Sequence, residues 1–435
     1  MAFRPPLPAL AALERHFGFP SFREGQGELV AAALHGKDAL GVLPTGGGKS
    51  LCYQIPAAVL PGLVLVLTPL VSLMADQVRR AREAGIPAAA LHSGMPRGDR
   101  RQAEEDAARG AFRLLFVAPE RLVRPAFQAF LPRLSVDLLV VDEAHCISLW
   151  GHDFRPAYRQ IGAVRSRLPE VPVLALTATA TPEVRAEIET ELRLVSPVRT
   201  VLSFDRPNLG WGVQPVRSAG EKPEAVRHMV RALGGARMVY AATRRRVEEI
   251  SAHLVRSGVR ARPYHAGLSV PGRDRTQDWF MSAPAPVVVA TNAFGMGIDR
   301  SDVRLVVHDQ LSGTLEDYYQ EAGRAGRDGE PALCIALHAP SDRKVHRAFL
   351  DGTHPPLRRP ADWVEVLQGG PAAHRRRRRR IGKAQRRAVE QYARTRGCRR
   401  HALLSHFGEG EGKGDCPACD RCSGWARLFR FPASV

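Results

Sequence analysis

Short apolar, often β-branched runs recur along the first 340 residues, separated by longer amphipathic stretches: Leu63 to Leu67, Arg113 to Val117, Asp137 to Val141, Val171 to Leu176, Met238 to Ala241, Val287 to Ala290 and Val303 to Val307. Runs that are apolar on both faces fit strands of parallel sheets covered by helices. Asp38 to Leu43 reads as one more strand. The longest apolar region, Val59 to Ala75, is broken by Pro61 and Pro69, so it predicts a buried strand with a turn and not a membrane span. Pro207-Asn208, with Gly210 and Gly212 close behind, punctuates the series and marks a candidate hinge. The strand pattern stops near Ser341. The expected fold class is therefore α/β, with parallel-sheet domains over 1–206 and 207–340 and a small helical region over 341–435.

Charge changes this picture most in the last region. The chain of 435 residues carries a formal +19, with a pI near 10.5. From Ser341 to Val435 there are 22 Lys and Arg against 9 Asp and Glu, so +13 of the total lies there. Such a balance implies a polyanionic partner, and the absence of an obvious amphipathic lipid-binding helix favours nucleic acid over membrane. Arg375 to Arg380 is an unbroken run of arginines, which reads either as a source of DNA affinity through phosphate contacts or as a solvated linker or disordered block. Met1 to Phe19 shows no apolar stretch followed by a cleavage site, so a cytoplasmic location is expected, nucleoid-associated if the source is bacterial. Seven cysteines without secretory context argue against a disulfide framework.

The candidate chemistry begins where the Asp38 to Leu43 strand runs into Pro44-Thr45-Gly46-Gly47-Gly48-Lys49-Ser50, ahead of a predicted helix. Glycines let backbone N–H groups crowd a phosphate, Lys49 can reach the β- and γ-phosphates, and the Ser50 hydroxyl can hold Mg²⁺. Leu43 stands where the general phosphate-loop pattern has its first glycine. Farther on, an apolar strand ends in Asp142-Glu143-Ala144-His145, delivering two carboxylates together. Asp142 suits Mg²⁺ binding and Glu143 the polarisation of an attacking water. The alternative is a pair of solvated loop acids.

These stretches, with Thr68-Pro69-Leu70-Val71-Ser72-Leu73, Ala118-Pro119-Glu120-Arg121, Thr177-Ala178-Thr179-Ala180, Ala290 to Asp299 and Gln320-Glu321-Ala322-Gly323-Arg324-Ala325-Gly326-Arg327, resemble a superfamily 2 helicase core, and in detail the RecQ family of DNA helicases. The resemblance implies two tandem RecA-like domains with ATP held between them. It further implies that Phe19, Arg23 and Gln26 frame adenine, Phe19 by stacking and Gln26 at the base edge. Gln320, Arg324 and Arg327 would face the nucleotide from the second domain, with Arg327 as arginine finger. The alternative for either arginine is a surface ion pair with Glu321 or Asp328.

Two further constellations point to DNA and zinc. Ile147 to Tyr158 interleaves Trp150, His152 and Phe154 with Arg155, and aromatics beside arginine suit a single strand; packing is the other role open to these rings. The stretch resembles the aromatic-rich loop that couples DNA binding to ATP hydrolysis in RecQ helicases, with Leu149 at a position that is usually polar. Cys398, Cys416, Cys419 and Cys422 have the spacing of a four-thiolate Zn²⁺ site, and the flanking Gly397-Cys398-Arg399-Arg400 and His406-Phe407-Gly408-Glu409 match the RecQ zinc module. Cys52, Cys146 and Cys334 read as buried structural residues. Thirteen residues follow Cys422, too few for the winged helix that usually succeeds this module, so a short form is expected. The resulting expectation is an ATP-dependent DNA helicase translocating 3′ to 5′. Its rivals are a DNA-stimulated ATPase, translocase or annealing factor that unwinds weakly, and an ATP-switched DNA-binding zinc protein; RNA is a less favoured substrate.

Overall fold

A computed structural model describes residues 4–44, 46–69, 71–151, 154–295, 298, 300–353, 371–410, 416 and 418–423. The chain divides between Ser203 and Phe204 into two units. The division falls ahead of Pro207-Asn208, which belongs to the second unit.

In the first unit the strands are β1 (Ala39–Val42), β2 (Leu63–Leu67), β3 (Ala88–Leu91), β4 (Leu114–Val117), β5 (Val136–Val141), β6 (Val173–Thr177) and β7 (Val198–Val201). They form one sheet in the order β3-β4-β2-β5-β6-β1-β7, and every pairing is parallel. Leu65, Val66, Val140 and Leu174 in the central strands are fully buried, as a sheet covered on both faces requires. Helices Gln26–Leu34 and Leu51–Val59 help supply the cover through Leu29, Ala33, Cys52 and Tyr53.

The second unit contains β8 (Leu209–Pro215), β9 (Ala236–Tyr240), β10 (Ala261–Tyr264), β11 (Val287–Ala290), β12 (Val303–His308) and β13 (Ala332–His338). Their order is β10-β11-β9-β12-β13-β8, again parallel throughout. Gly210 and Gly212, expected to mark a hinge, instead lie inside edge strand β8. Arg206 and Asn208 just before it are also tied down: Asn208 Nδ2 donates to Gly326 O at 2.8 Å and Glu330 O at 3.0 Å, and Arg206 Nη2 to Ala325 O at 3.1 Å.

Beyond β13 the second unit continues as helices Asp342–Thr353, Pro371–Arg394 and Arg399–His406, then the cysteine-bearing turns. The arginine run is therefore helical, contrary to the linker or disordered block that charge alone suggested. Arginine is a good helix former, and Ile381, Val389 and Tyr392 bury one side of the same helix. No helix among the described residues is long and apolar enough to cross a membrane.

Candidate nucleotide and zinc sites

Parallel strands bring the first unit's motifs to one edge of the sheet. The glycine loop follows β1, Thr68 follows β2, Ala118 follows β4 and Asp142 follows β5, while Thr177 ends β6. Ligands of open α/β sheets bind at this carboxyl edge.

Gly46 and Gly48 adopt φ of 87° and 73°, a region where a side chain is strained. A Cβ on Gly48 would also lie 2.3 Å from Gln26 Nε2. Ser50 then leads into helix Leu51–Val59, whose first N–H groups favour an anion. Lys49 Nζ donates to Leu43 O at 3.3 Å, folding the lysine over the loop. Leu43 is buried and its N–H donates to Thr177 O at 3.0 Å. A leucine is accommodated there because position 43 extends the strand rather than joining the tight part of the loop. Thr45 lies outside the described residues.

The two acids are set by a sharp turn. Asp142 N–H donates to Leu67 O at 2.9 Å, still within the sheet, and its carbonyl accepts from Tyr158 Oη at 2.9 Å. Glu143 has φ 48°, a left-handed conformation that costs a non-glycine residue about 1 kcal/mol or more and concentrates at functional sites. Glu143 Oε2 lies 3.3 Å from His145 Nδ1, which is 2.9 Å from Thr177 Oγ1. Because that hydroxyl donates its hydrogen to Thr179 O at 3.1 Å, it must accept from His145, placing the imidazole proton on Nδ1. Glu143 thus lies beside an imidazole that the Thr-Ala-Thr-Ala segment orients. His145 and Thr177 were legible as motif members but not in this role, since 32 residues separate them.

Burial first, then the charge of Glu143, pushes the Asp142 carboxyl well above the usual carboxylate range, while Lys49 pulls it down. A divalent cation suits such a pair: the donors are hard oxygens, and an added positive charge relieves their repulsion.

Phe19 is 46 % exposed. Gln26 is buried, and Nε2 donates to Gly47 O at 3.0 Å and Gly48 O at 3.1 Å, while Oε1 accepts from Arg23 N at 3.0 Å. Arg23 Nη1 donates to Gly46 O at 3.1 Å. The three residues expected to frame adenine thus include two that brace the phosphate loop.

In the aromatic stretch, Glu187 fixes the backbone. Its Oε2 accepts from Leu149 N at 3.0 Å and from Ser148 Oγ, which in turn accepts from Trp150 N at 3.0 Å. Leu149 is buried, which accounts for an apolar residue there. Arg155 Nη1 donates to Pro69 O at 3.0 Å, and the Arg159 guanidinium sits 5.9 Å from the Phe154 ring centre. Trp150, Phe154 and Arg155 remain partly exposed; His152 lies outside the described residues.

In the second unit, Gln320 is half-buried near the end of helix Leu315–Ala322. Arg324 is buried and donates to Gly295 O, and Arg327 Nη1 donates to Ile298 O at 3.0 Å, both carbonyls lying in the Ala290 to Asp299 motif. Glu321 is held by His308 at 2.9 Å and Ser312 at 2.6 Å, and Asp328 by Arg304. Both carboxylates of the ion-pair alternative are thus engaged by other side chains.

Cys398, Cys416, Cys419 and Cys422 bring their sulfurs within 4.8 Å of one another. Zn–S bonds of about 2.3 Å in a tetrahedron put sulfurs about 3.8 Å apart, and Cys398 and Cys419 are at 3.9 Å. Burial raises the Cys419 thiol, but backbone N–H groups of Arg399, Cys422 and Arg421 outweigh it and bring it down to about 7. Burial pushes Cys416 up to about 11 and Cys422 higher still, so the spacing of the four sulfurs, with Cys419 as the readiest thiolate, is what fits zinc. Cys52, Cys146 and Cys334 are free and buried, as expected.

The cysteine turns also complete the sheet. Trp211 N–H donates to Ala418 O at 2.7 Å and Asp420 N–H to Trp211 O at 2.9 Å, so the knuckle pairs with the outer side of β8 and covers an otherwise open edge. Behind it, fully buried Arg399 donates from Nε to Asp420 Oδ1 at 2.6 Å and from Nη1 to Tyr392 O at 2.7 Å. Arg400 pairs with Asp205 at 2.6 Å, Phe407 stacks on Phe204 at 4.2 Å, and His406 meets Glu316 at 2.9 Å.

Three family profiles match in sequence order: DEAD/DEAH box helicase over residues 23–188, helicase conserved C-terminal domain over 221–329, and RecQ zinc-binding over 340–423. The probable ATP-dependent DNA helicase RecS of Bacillus subtilis is 41 % identical over 358 residues, covering 82 % of this chain and 72 % of that protein. The chain belongs to the RecQ family. Another RecQ-family relative, the ATP-dependent DNA helicase RecQ of Pasteurella multocida, is 41 % identical over 95 % of this chain and 62 % of its own length. The chain thus spans just under two thirds of that relative. Among solved structures, DNA-bound DUF1998 helicase MrfA aligns with TM-score 0.63 at 19 % identity, covering 83 % of this chain and 56 % of that one. RNA-bound Dbp5 of S. cerevisiae aligns with TM-score 0.61 at 16 % identity, covering 88 % and 98 %. These establish the fold: two RecA-like domains, followed here by the RecQ zinc module.

Proposed function

We propose that this chain hydrolyses ATP to drive 3′ to 5′ movement along single-stranded DNA and separation of duplex, in DNA repair or recombination. The observation that carries the proposal is the convergence of the glycine loop, Lys49, Asp142 and Glu143 at one sheet edge in a chain that also bears the RecQ zinc module. Backbone N–H groups of Gly48, Lys49 and Ser50 and the Lys49 ammonium bind the phosphates. Ser50 and Asp142 would hold Mg²⁺, which when bound would offset the charge of the phosphates. Glu143 orients the attacking water and accepts its proton. Phe19 offers a ring for adenine; Gln26 must release Gly47 or Gly48 to reach the base edge. Arg327 serves as the arginine finger, with Arg324 and Gln320 beside it; such a finger is worth about 10³ to 10⁵ in turnover. Trp150, His152, Phe154 and Arg155 contact the strand, and the Arg155 N–H donating to Cys146 O at 2.9 Å, with the Cys146 N–H donating to Glu143 O at 2.9 Å, gives that neighbourhood a route to the hydrolytic residue.

ATPase rates with and without DNA, beside strand separation on forked, blunt and 3′-tailed duplexes, test the reading. Lys49→Ala and Glu143→Gln are each expected to abolish multiple turnover with DNA binding largely intact. Near-normal ATPase in either folded variant overturns the site assignment. DNA-stimulated hydrolysis without strand separation would identify the translocase or annealing rival.

A further inference from the structure

The arginine-rich helix Pro371–Arg394 has no part in the nucleotide site, yet it holds ten Arg and Lys residues against one acid, Glu390. Its residues sort onto two faces. Ile381, Val389, Tyr392 and Ala393 are buried against the rest of the second unit, and Arg379 reaches Asp351 at 2.7 Å. Arg376, Arg380, Lys383, Arg387, Gln391 and Arg394 are exposed. Their steps of three or four residues keep them on one side of a helix. From Arg376 to Arg394 the stripe runs about 27 Å at 1.5 Å per residue. Arg387, Gln391 and Arg394 also border an open surface groove of about 360 Å³.

We propose that this stripe is a sequence-independent docking surface for the phosphate backbone of duplex DNA. A 27 Å run parallels about eight phosphates of one strand at 3.4 Å per step, so the five cations of the stripe, one or two turns apart, have phosphates within reach along its whole length. The exposed positions from Arg376 to Arg394 hold Arg, Lys, Ala and Gln but no aromatic side chain. Single-strand surfaces depend on stacking platforms, whereas duplex positioning depends on phosphate contacts alone. The composition of this face therefore favours duplex. It is distinct from the Trp150 to Arg155 segment, which lies in the other unit. The inference rests on the DNA-dependent reading above and adds to it a second binding surface of different chemistry.

The test replaces Arg380, Lys383, Arg387 and Arg394 together by Ala in the full chain, with Arg380→Lys, Arg387→Lys and Arg394→Lys as the charge-preserving control. Fluorescence anisotropy measures affinity for a blunt duplex and for an oligothymidine strand as a function of salt. Each lost phosphate contact removes about 0.9 from the log–log slope on duplex, so four flatten it by up to about 3.6. Between 50 and 200 mM salt the variant then loses about two decades less duplex affinity than the wild type. Oligothymidine affinity is expected to change less than about twofold, the lysine control to keep the steep slope, and zinc content and basal ATPase to persist. An unchanged duplex slope in zinc-loaded alanine variant removes the stripe from the DNA surface; equal losses on duplex and single strand overturn its assignment to duplex. Wild-type protein lacking DNA-stimulated ATPase would instead defeat the helicase reading, a result the anisotropy slopes do not depend on.

Discussion

Asp420→Ala isolates what secures the zinc module to the second sheet without touching a cysteine. Asp420 accepts from Arg399 Nε at 2.6 Å and from Val213 N at 3.1 Å. The Arg399 side chain is 0 % exposed and that of Asp420 is 5 %. Arg399 keeps only the Tyr392 carbonyl and the Tyr392 ring, 5.6 Å from its guanidinium, as described partners. Its Nη2 already lacks a hydrogen-bond partner among the described residues. Removing one member of a buried ion pair costs about 3 to 5 kcal/mol, and the orphaned Val213 N–H adds about 1. A loss of about 4 to 6 kcal/mol is large against the roughly 5 to 15 of a whole domain. Urea titration followed by zinc release to a chromophoric chelator reads this directly. At a slope of about 2 kcal/mol per M, the midpoint of the release should fall by about 2 to 3 M. Asp420→Asn keeps one acceptor for two donors and should lose about half as much. An alanine variant that releases zinc within about 0.5 M of the wild type would refute the argument, because the buried guanidinium would then have found another partner or water.

Gln26→Ala removes three hydrogen bonds worth about 1 kcal/mol each and should raise the KM for ATP about tenfold or more; an equal rise for GTP assigns the effect to the braced phosphate loop, a rise for ATP alone to the base edge, and an unchanged KM rejects both. Trp150→Ala and Phe154→Ala should lower DNA-stimulated ATPase and unwinding more than the basal rate, stacking being worth about 1 to 3 kcal/mol per base; full stimulation in both variants would make the loop purely structural. Cys416→Ser should release zinc and expose 398–423 to protease, since structural zinc contributes its binding energy to folding. Protease resistance at wild-type level in zinc-free protein would contradict that.

Most central strands were legible in the residues. Leu63–Leu67 and Val287–Ala290 match the apolar runs residue for residue, because a strand buried on both faces must be apolar throughout. Edge strands were not: Ala88–Leu91 and Leu209–Pro215, though mostly buried, contain the alanine, glycine and proline that an edge tolerates and so show no β-branched apolar run. The phosphate loop, the two acids and the four cysteines were likewise readable, as each is a local pattern of residue types whose chemistry depends on short spacing. Tertiary structure alone decided what distant residues do together. Gln26 braces a loop more than twenty residues away, His145 takes its tautomer from Thr177, and Asp420 neutralises Arg399 beneath strand β8. The arginine run shows the same division. Its charge was plain in the sequence, but whether it formed a linker or a one-sided helix depended on Ile381, Val389 and Tyr392 finding a surface to bury against, and burial is a property of the assembled fold.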